Sequence, residues 1–247
     1  HAVGEYAVLL NSDVQVLPGW ITLLMRTILT YPGKVGMVGP LQISTSLEVN
    51  EAGGLLFRGG LPHNMGRGSI PNKQAMYNAR IVDYISAACV LFHRETFLGL
   101  GLFDPAFEPA YYEDTDAAVT MYEHGYLTIL QPLAVVIHKE GGTISSQTKE
   151  DLMKNHKNLF YNKHKSLLDG YCPDRPGNCH QPISTHDLHT HMSFMKQPNR
   201  VLVFDLIPPE PDKDAGSIRL TEIFRILQQE GFSITFEPLS TDRHVKY

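Results

Sequence analysis

Three short stretches of this chain hold side chains able to bind a cation or move a proton. Asn11-Ser12-Asp13 follows the apolar run Glu5-Tyr6-Ala7-Val8-Leu9-Leu10, which reads as a buried strand. A carboxylate at the end of such a strand sits where ligands bind in open α/β folds, and it could hold a hard divalent cation that bridges to phosphate oxygens. The same tripeptide also reads as a polar turn capping the next helix. Glu113-Asp114-Thr115-Asp116 opens a helical pattern. Acidic residues favour a helix N-terminus, yet three carboxylates in four positions repel one another, a cost better tolerated beside a cation or substrate. The preceding stretch, residues 103–112, is aromatic and turn-rich and suited to lining a pocket. His138 ends an apolar run, where a histidine serves either as a metal ligand or as a structural residue.

The elements that must position these groups alternate between strand and helix. After the first strand, Pro18-Gly19-Trp20 opens a helix with Trp20, Leu23, Leu24, Thr27 and Ile28 on one face, closed by Gly33. Val35 to Val38 reads as a brief strand stopping at Gly39-Pro40. Residues 44–80 read as loop with a hairpin around Leu55-Leu56-Phe57. A long strand is expected over Ile81 to Phe92, a short helix from Arg94, and a helix over Glu113 to His124 closed by Gly125. Two separate apolar runs, Tyr126 to Leu130 and Ala134 to Ile137, read as strands, and a polar helix follows from about Lys149 to Lys165. Residues 169–198 carry four prolines and no periodicity and read as a linker. A β-α-β pattern then begins: strand from Arg200 to Asp205, helix from Ala215 to Glu230, strand from Phe232 to Phe236. The pattern implies an α/β sandwich.

Composition narrows the function classes. With 21 basic against 26 acidic residues and a net charge of −5, the chain has no nucleic-acid footprint, so an anionic ligand would be met by a local device such as a metal ion. Three cysteines are too few for a disulfide framework and point to a reducing compartment. No stretch has the length and apolarity of a membrane span, and no signal peptide is visible. Cys172, Cys179, His180, His186, His189 and His191 are zinc-ligand types, but their spacing matches no common zinc module. Both ends of the chain look cut, as in a fragment of a longer protein.

Five motifs in this order resemble the family 2 glycosyltransferases, especially rhamnosyltransferase-like members. They are Leu10-Asn11-Ser12-Asp13 with Leu17-Pro18-Gly19-Trp20, Tyr84-Ile85-Ser86-Ala87-Ala88-Cys89, Gly101-Leu102-Phe103-Asp104, Tyr112-Glu113-Asp114-Thr115-Asp116, and His138. The resemblance covers about residues 5–165. It implies an incomplete GT-A sandwich, a nucleoside-diphosphate sugar donor, and a glycan or other hydroxyl acceptor. It puts Asn11 and Asp13 at the metal-binding DxD-like position and gives Asp114 the role of general base, with Glu113 and Asp116 in support. His138 completes the metal site with Asp13, and Ser86, Ala87 and Ala88 form the loop that approaches the donor. The implied cofactor is Mn2+ or Mg2+. Such chemistry is coherent: inversion needs one base opposite the leaving group, and a cation can neutralise a departing diphosphate. Ala87 departs from the family's usual glycine, adding a methyl where the sugar approaches.

These readings set the expectations. Residues 1–168 form the C-terminal part of a GT-A domain, 169–198 a linker, and 199–247 the Rossmann-like start of a second domain similar to GT-B glycosyltransferases. The parent protein is an inverting transferase of polysaccharide or cell-surface glycan synthesis. Its location is the cytoplasm, at the inner face of a membrane if regions outside this chain attach it. With the N-terminal half of the fold outside it, this chain alone should be inactive. The alternatives are a sugar-nucleotide or glycan-binding module that kept the fold and lost the chemistry, and a nucleotidyltransferase.

Overall fold

A computed structural model describes residues 3–71, 79–101, 103–139, 146–171, 200–205, 209–211, 214–230 and 232–238. The chain divides into two compact units, His1–Phe194 and Met195–Tyr247. The zinc-ligand types between Cys172 and His191 lie outside the described residues.

The first unit is built on a mixed sheet with strand order β1-β8-β3-β9-β2, to which β4 adds against β3 and β7 against β9. Its strands are β1 (Tyr6–Leu10), β2 (Val14–Val16), β3 (Val35–Ile43), β4 (Val49–Glu51), β7 (Arg80–Ile81), β8 (Cys89–His93) and β9 (Leu127–His138). A separate hairpin joins β5 (Gly54–Leu56) to β6 (Pro62–Asn64), as the run around Leu55 implied. Among the described residues of this sheet only β3 and β9 run parallel; β1 and β8, β3 and β8, and β2 and β9 are antiparallel. Helix α1 (Trp20–Thr30) lies on β3 and β9, burying Leu24 and Thr27 one turn apart. Helix α2 (Arg94–Gly99) packs on β8, α3 (Glu113–Glu123) on β3 and β9, and α4 (Ser146–Lys163) and α5 (Lys165–Leu168) follow.

Three strand expectations are corrected, each for a local reason. First, β3 does not stop at Gly39-Pro40 but continues to Ile43. Pro40 sits where the register with β9 slips, so its missing N–H costs the ladder nothing. Gly39 is required there because a Cβ would lie 2.1 Å from Ile85 Cγ2. Second, the two apolar runs around Pro132 are one strand, β9. On its side of the slip, Gln131 holds the irregular residues: Oε1 accepts from Leu133 N–H at 3.1 Å and Nε2 donates to Thr27 Oγ1 at 2.7 Å. Third, residues 81–92 are two strands separated by a loop. The loop is tied to side-chain and hairpin partners instead of the ladder: its Asp83 Oδ2 accepts from Leu56 N–H of β5 at 2.7 Å, and Glu51 and Asp114 accept from the amides of Ser86 and Ala87. Gly54 allows the approach, since a Cβ on it would fall 2.0 Å from the Tyr84 ring.

The polar helix also breaks in two at His164, giving α4 and α5. In the second unit, β10 (Arg200–Asp205) and β11 (Ser233–Pro238) pair in parallel, joined through α6 (Ala215–Gln229). Asp214 caps that helix, accepting from Ser217 N–H at 2.7 Å and from the Ser217 hydroxyl at 2.6 Å. The β-α-β pattern is observed, with Phe224 and Phe236 in edge contact. No helix among the described residues is long and apolar enough to cross a membrane.

Candidate active site

Two clusters of functional side chains form on the first unit. At the end of β1 the backbone turns, with Asn11 N–H donating to the Ala88 carbonyl at 2.9 Å and Val14 N–H to the Asn11 carbonyl at 3.1 Å. That turn delivers Asp13 to β2, whose Val14 is in register with His138 of β9. Asp13 Oδ2 therefore faces His138 Nε2 at 3.4 Å. On its other side the ring meets Gln42 Oε1, 3.1 Å from Nδ1. Gln42 is buried on β3, and with the ring proton on Nδ1 given to its amide oxygen the Nε2 lone pair would face Asp13. Two acceptors this close repel unless a cation or proton lies between them. A carboxylate oxygen and an imidazole nitrogen backed by an outer amide are a donor set suited to a divalent metal. Among the described residues no group of three or more His, Cys, Asp or Glu is arranged to hold a metal ion.

The second cluster surrounds the loop between β7 and β8. Ser86 N–H donates to Glu51 Oε1 at 3.0 Å, Ala87 N–H to Asp114 Oδ2 at 3.1 Å, and Ala88 N–H to the Ser86 hydroxyl at 3.3 Å. Two consecutive amides are thus held by the buried Glu51 and the partly buried Asp114. Asp114 Oδ1 in turn accepts from Thr115 N–H at 2.6 Å and from the Thr115 hydroxyl at 3.1 Å. Burial pushes the Asp114 carboxyl up, opposed by the Ala87 and Thr115 hydrogen bonds. Its neighbour Glu113 is pushed up to about 7, first by burial and then by the Asp114 charge. Helix α3 is launched by Tyr111 and Tyr112, both left-handed with φ of 75°.

A cleft of about 410 Å³ is lined by Asn11, Ala87, Phe103, Phe107 and Glu113 among others, and Asp13, His138 and Asp114 are not among its lining residues. The structure thus brings Asn11, Ala87 and Glu113 to one cavity. Asp13 and His138 meet each other on β2 and β9, and Ser86, Ala87 and Ala88 share a loop with Asp114. Asp116 goes elsewhere. Its buried carboxylate accepts from Lys163 Nζ at 2.8 Å and from His164 Nε2 at 2.9 Å, and His164 Nδ1 meets Glu123 Oε2 at 3.0 Å. Four contributors escaped the sequence reading: Gln42, Glu51, Lys163 and His164. Glu51 on β4 and Gln42 on β3 are buried polar residues with no local motif. His164 lies 48 positions from Asp116, so only the fold reveals the pair.

Comparison with known proteins gives a consistent likeness. No family model matches the chain. Over 169 residues it is 26% identical to the N-acetylglucosaminyl-diphospho-decaprenol L-rhamnosyltransferase of Mycobacterium tuberculosis, in both strains CDC 1551 / Oshkosh and ATCC 25618 / H37Rv, covering 64% of this chain and 54% of the relative. It is also 26% identical over 171 residues to the uncharacterized protein y4gI of Sinorhizobium fredii, covering 66% of this chain and 18% of that one. The chain thus spans about half the length of the rhamnosyltransferases it matches. Among solved structures, the crystal structure of GalNAc-T7 with UDP, GalNAc and Mn2+ superposes with a TM-score of 0.51 at 16% identity, over 68% of this chain and 33% of that one. The likeness supports a fold of the GT-A glycosyltransferase type for the first unit and lends no support to a GT-B-like second unit.

Proposed function

We propose that the first unit carries the acceptor-side half of a glycosyltransferase site. The site moves a hexosyl or deoxyhexosyl group from a nucleoside-diphosphate sugar to a glycan or other hydroxyl, with inversion. The observation that carries this reading is the single cleft bounded by the strand-end Asn11, the Ala87 loop and the carboxylate head of α3. An inverting transfer needs a donor platform facing a base across a space the acceptor can enter, and those three boundaries supply it. Asn11, Ser86, Ala87 and Ala88 would orient the donor, and the Glu113–Asp114 pair would receive the acceptor proton. The family resemblance gives that role to Asp114, with Glu113 and Asp116 in support.

Asp13 and His138 would hold a divalent cation, Mn2+ or Mg2+, with Gln42 fixing the histidine tautomer. Such an ion supplies charge neutralisation for a departing diphosphate. We place the parent protein in polysaccharide or cell-surface glycan synthesis on the cytoplasmic side. The parallel β10–β11 pair with its Asp214-capped helix supports the further proposal that residues 199–247 open a second, GT-B-like domain, after a linker over 169–198.

One observation favours a second reading, a glycan- or sugar-nucleotide-binding module: Ala87 puts a methyl on the cleft wall at the family's glycine position. Nucleoside diphosphate release by the full-length protein separates the two. Across uridine, thymidine and guanosine diphosphate sugars with Mn2+ or Mg2+, a transferase turns over one donor with a mixed glycan acceptor. Donor binding without any release supports the binding module and sinks the transferase.

A further inference from the structure

Most of the cleft wall comes from one stretch of chain: Phe103, Asp104, Pro105, Phe107, Glu108 and Pro109 all line the cavity. The regular structure of that stretch is a single 3₁₀ turn, Pro105–Phe107, which Asp104 caps by accepting from Ala106 N–H at 2.9 Å through Oδ1. One such turn does not hold its own place, so the wall is only as fixed as its tertiary contacts. Helix α2 meets it at Phe103, whose ring stands edge-on to Phe97 with 5.2 Å between centroids. Helix α4 meets it at Asp104 and Phe107. The second Asp104 oxygen, Oδ2, accepts from Lys163 Nζ at 2.7 Å. The buried Phe107 ring meets His156 edge-on at 5.6 Å, and Lys163 Nζ stands 5.8 Å from its centre. Lys163 is gripped in turn by Asp116 of α3, whose Oδ2 accepts from Nζ at 2.8 Å. We propose that Lys163 is a positioning residue: it reaches from Asp116 to Asp104 and fixes the wall against which the acceptor docks.

This role rests on the transfer reading above and deepens it, naming what holds the acceptor side of the site. Lys163 and Asp104 are 36% and 34% exposed, and an ion pair that open adds little to stability, on the order of 0–1 kcal/mol. What it adds is geometry. Asp116 is 3% exposed and also held by His164, so the ammonium approaches the wall from a fixed post. An ammonium carries three N–H donors, and here two of them serve carboxylates on different elements, tying the wall to α3 through one atom. The Lys163 and Ala106 hydrogen bonds hold the Asp104 carboxyl below its ordinary range, so the tie stays ionised at neutral pH. A wall displaced by about 1 Å loses contacts to the acceptor, at a cost of up to about 10²-fold. The donor loop, held by Glu51 and Asp114, stays where it was. The loss therefore belongs to the acceptor.

The test uses the full-length protein, the sugar nucleotide it turns over and one glycan that accepts from it. Lys163→Met and Asp104→Asn should each raise the acceptor KM about tenfold, with kcat and the donor KM within about twofold of wild type. Asp104→Asn keeps an oxygen for the Ala106 amide and leaves the Asp116 end intact, so it separates the tie from any loss of folding in Lys163→Met. The double variant should be no worse than the more impaired single, because both cut the same link. Lys163→Arg, whose fork of N–H donors can serve two carboxylates, should bring the acceptor KM back to within about threefold. Hydrogen exchange gives a readout free of turnover: the Ala106, Phe107 and Glu108 amides, bonded within the turn, should exchange about tenfold faster in both single variants. An acceptor KM within about twofold of wild type in both, a loss that falls on the donor KM instead, unmoved exchange, or effects that multiply in the double variant overturns the proposal. A wild type that turns over no donor removes the transfer reading and the acceptor role with it. An unmoved acceptor KM in an active protein removes the role of Lys163 alone.

Discussion

Removing the Asp116 carboxylate should destabilise the first unit by about 3 kcal/mol, the low end of what breaking a buried ion pair costs. The figure follows from who is left behind. Asp116 has a side chain 3% exposed and bonds Lys163 at 2.8 Å and His164 at 2.9 Å. Lys163 is 36% exposed and keeps Asp104 at 2.7 Å, so water and a second carboxylate compensate it. His164 is 2% exposed, so its Nε2 would lose its partner with no water to replace it. In Asp116→Ala the loss therefore falls mostly on one buried imidazole. Asp116→Asn retains an oxygen toward His164 and should cost only about 1–2 kcal/mol. His164→Ala should cost about 2–3 kcal/mol, adding lost packing against Phe160, whose ring lies 5.1 Å away, to the lost hydrogen bonds. Because the two residues share one bond, the double variant should be less damaged than the sum by about 1–2 kcal/mol. Urea denaturation at constant m measures all four corners of the cycle. A loss below about 1 kcal/mol for Asp116→Ala, or strict additivity with His164→Ala, would refute the view that this triad holds α3 to the α4–α5 junction.

Two further outcomes follow from the site. Glu113 is raised from 4.5 to about 7 in the folded protein, so between those values the native state holds a proton the unfolded chain has released. Its contribution to stability thus falls as pH rises through that window, by on the order of 3 kcal/mol, and Glu113→Gln should flatten this slope in pH-dependent urea melts; an unchanged slope would contradict it. Gln42→Ala removes the acceptor that fixes His138, and Mn2+ affinity measured by calorimetry should drop about 10–100-fold, whereas no change would place the metal elsewhere.

How much of this could be read from residue order depends on the range of the interaction. Helices α1, α3 and α6 were legible because their apolar spacing and their glycine or aspartate punctuation are local signals. Pro132 misled in the opposite way: a proline between two apolar runs reads as a break, yet the slip against Pro40 absorbs it inside one strand. The loop at Ser86–Ala88 was hidden within an apolar run because Glu51 and Asp114 disrupt it from 35 and 27 residues away. Motif order located the site residues well enough to bring Asn11, Ala87 and Glu113 to one cleft. It could not rank Glu113 against Asp114, because one position on a helix is a rotation of 100° and only the path of the preceding backbone sets which carboxylate faces the cavity.

That path has a consequence for how the protein is made. Tyr111 and Tyr112 are both held in left-handed geometry, at about 1–2 kcal/mol each. The restraint comes from far along the chain and from far behind. The Tyr112 hydroxyl donates to the Gly60 carbonyl at 3.0 Å and its ring meets Phe160, while His156 Nδ1 lies 2.9 Å from the Tyr111 carbonyl and Lys149 sits over the Tyr111 ring. During synthesis, then, the nascent chain can build its strands and even its acidic helix before the helix head is aimed. Of these partners only Gly60 precedes the helix, so a ribosome stalled short of residue 146 would carry the site's residues without the α4 contacts that hold both tyrosines.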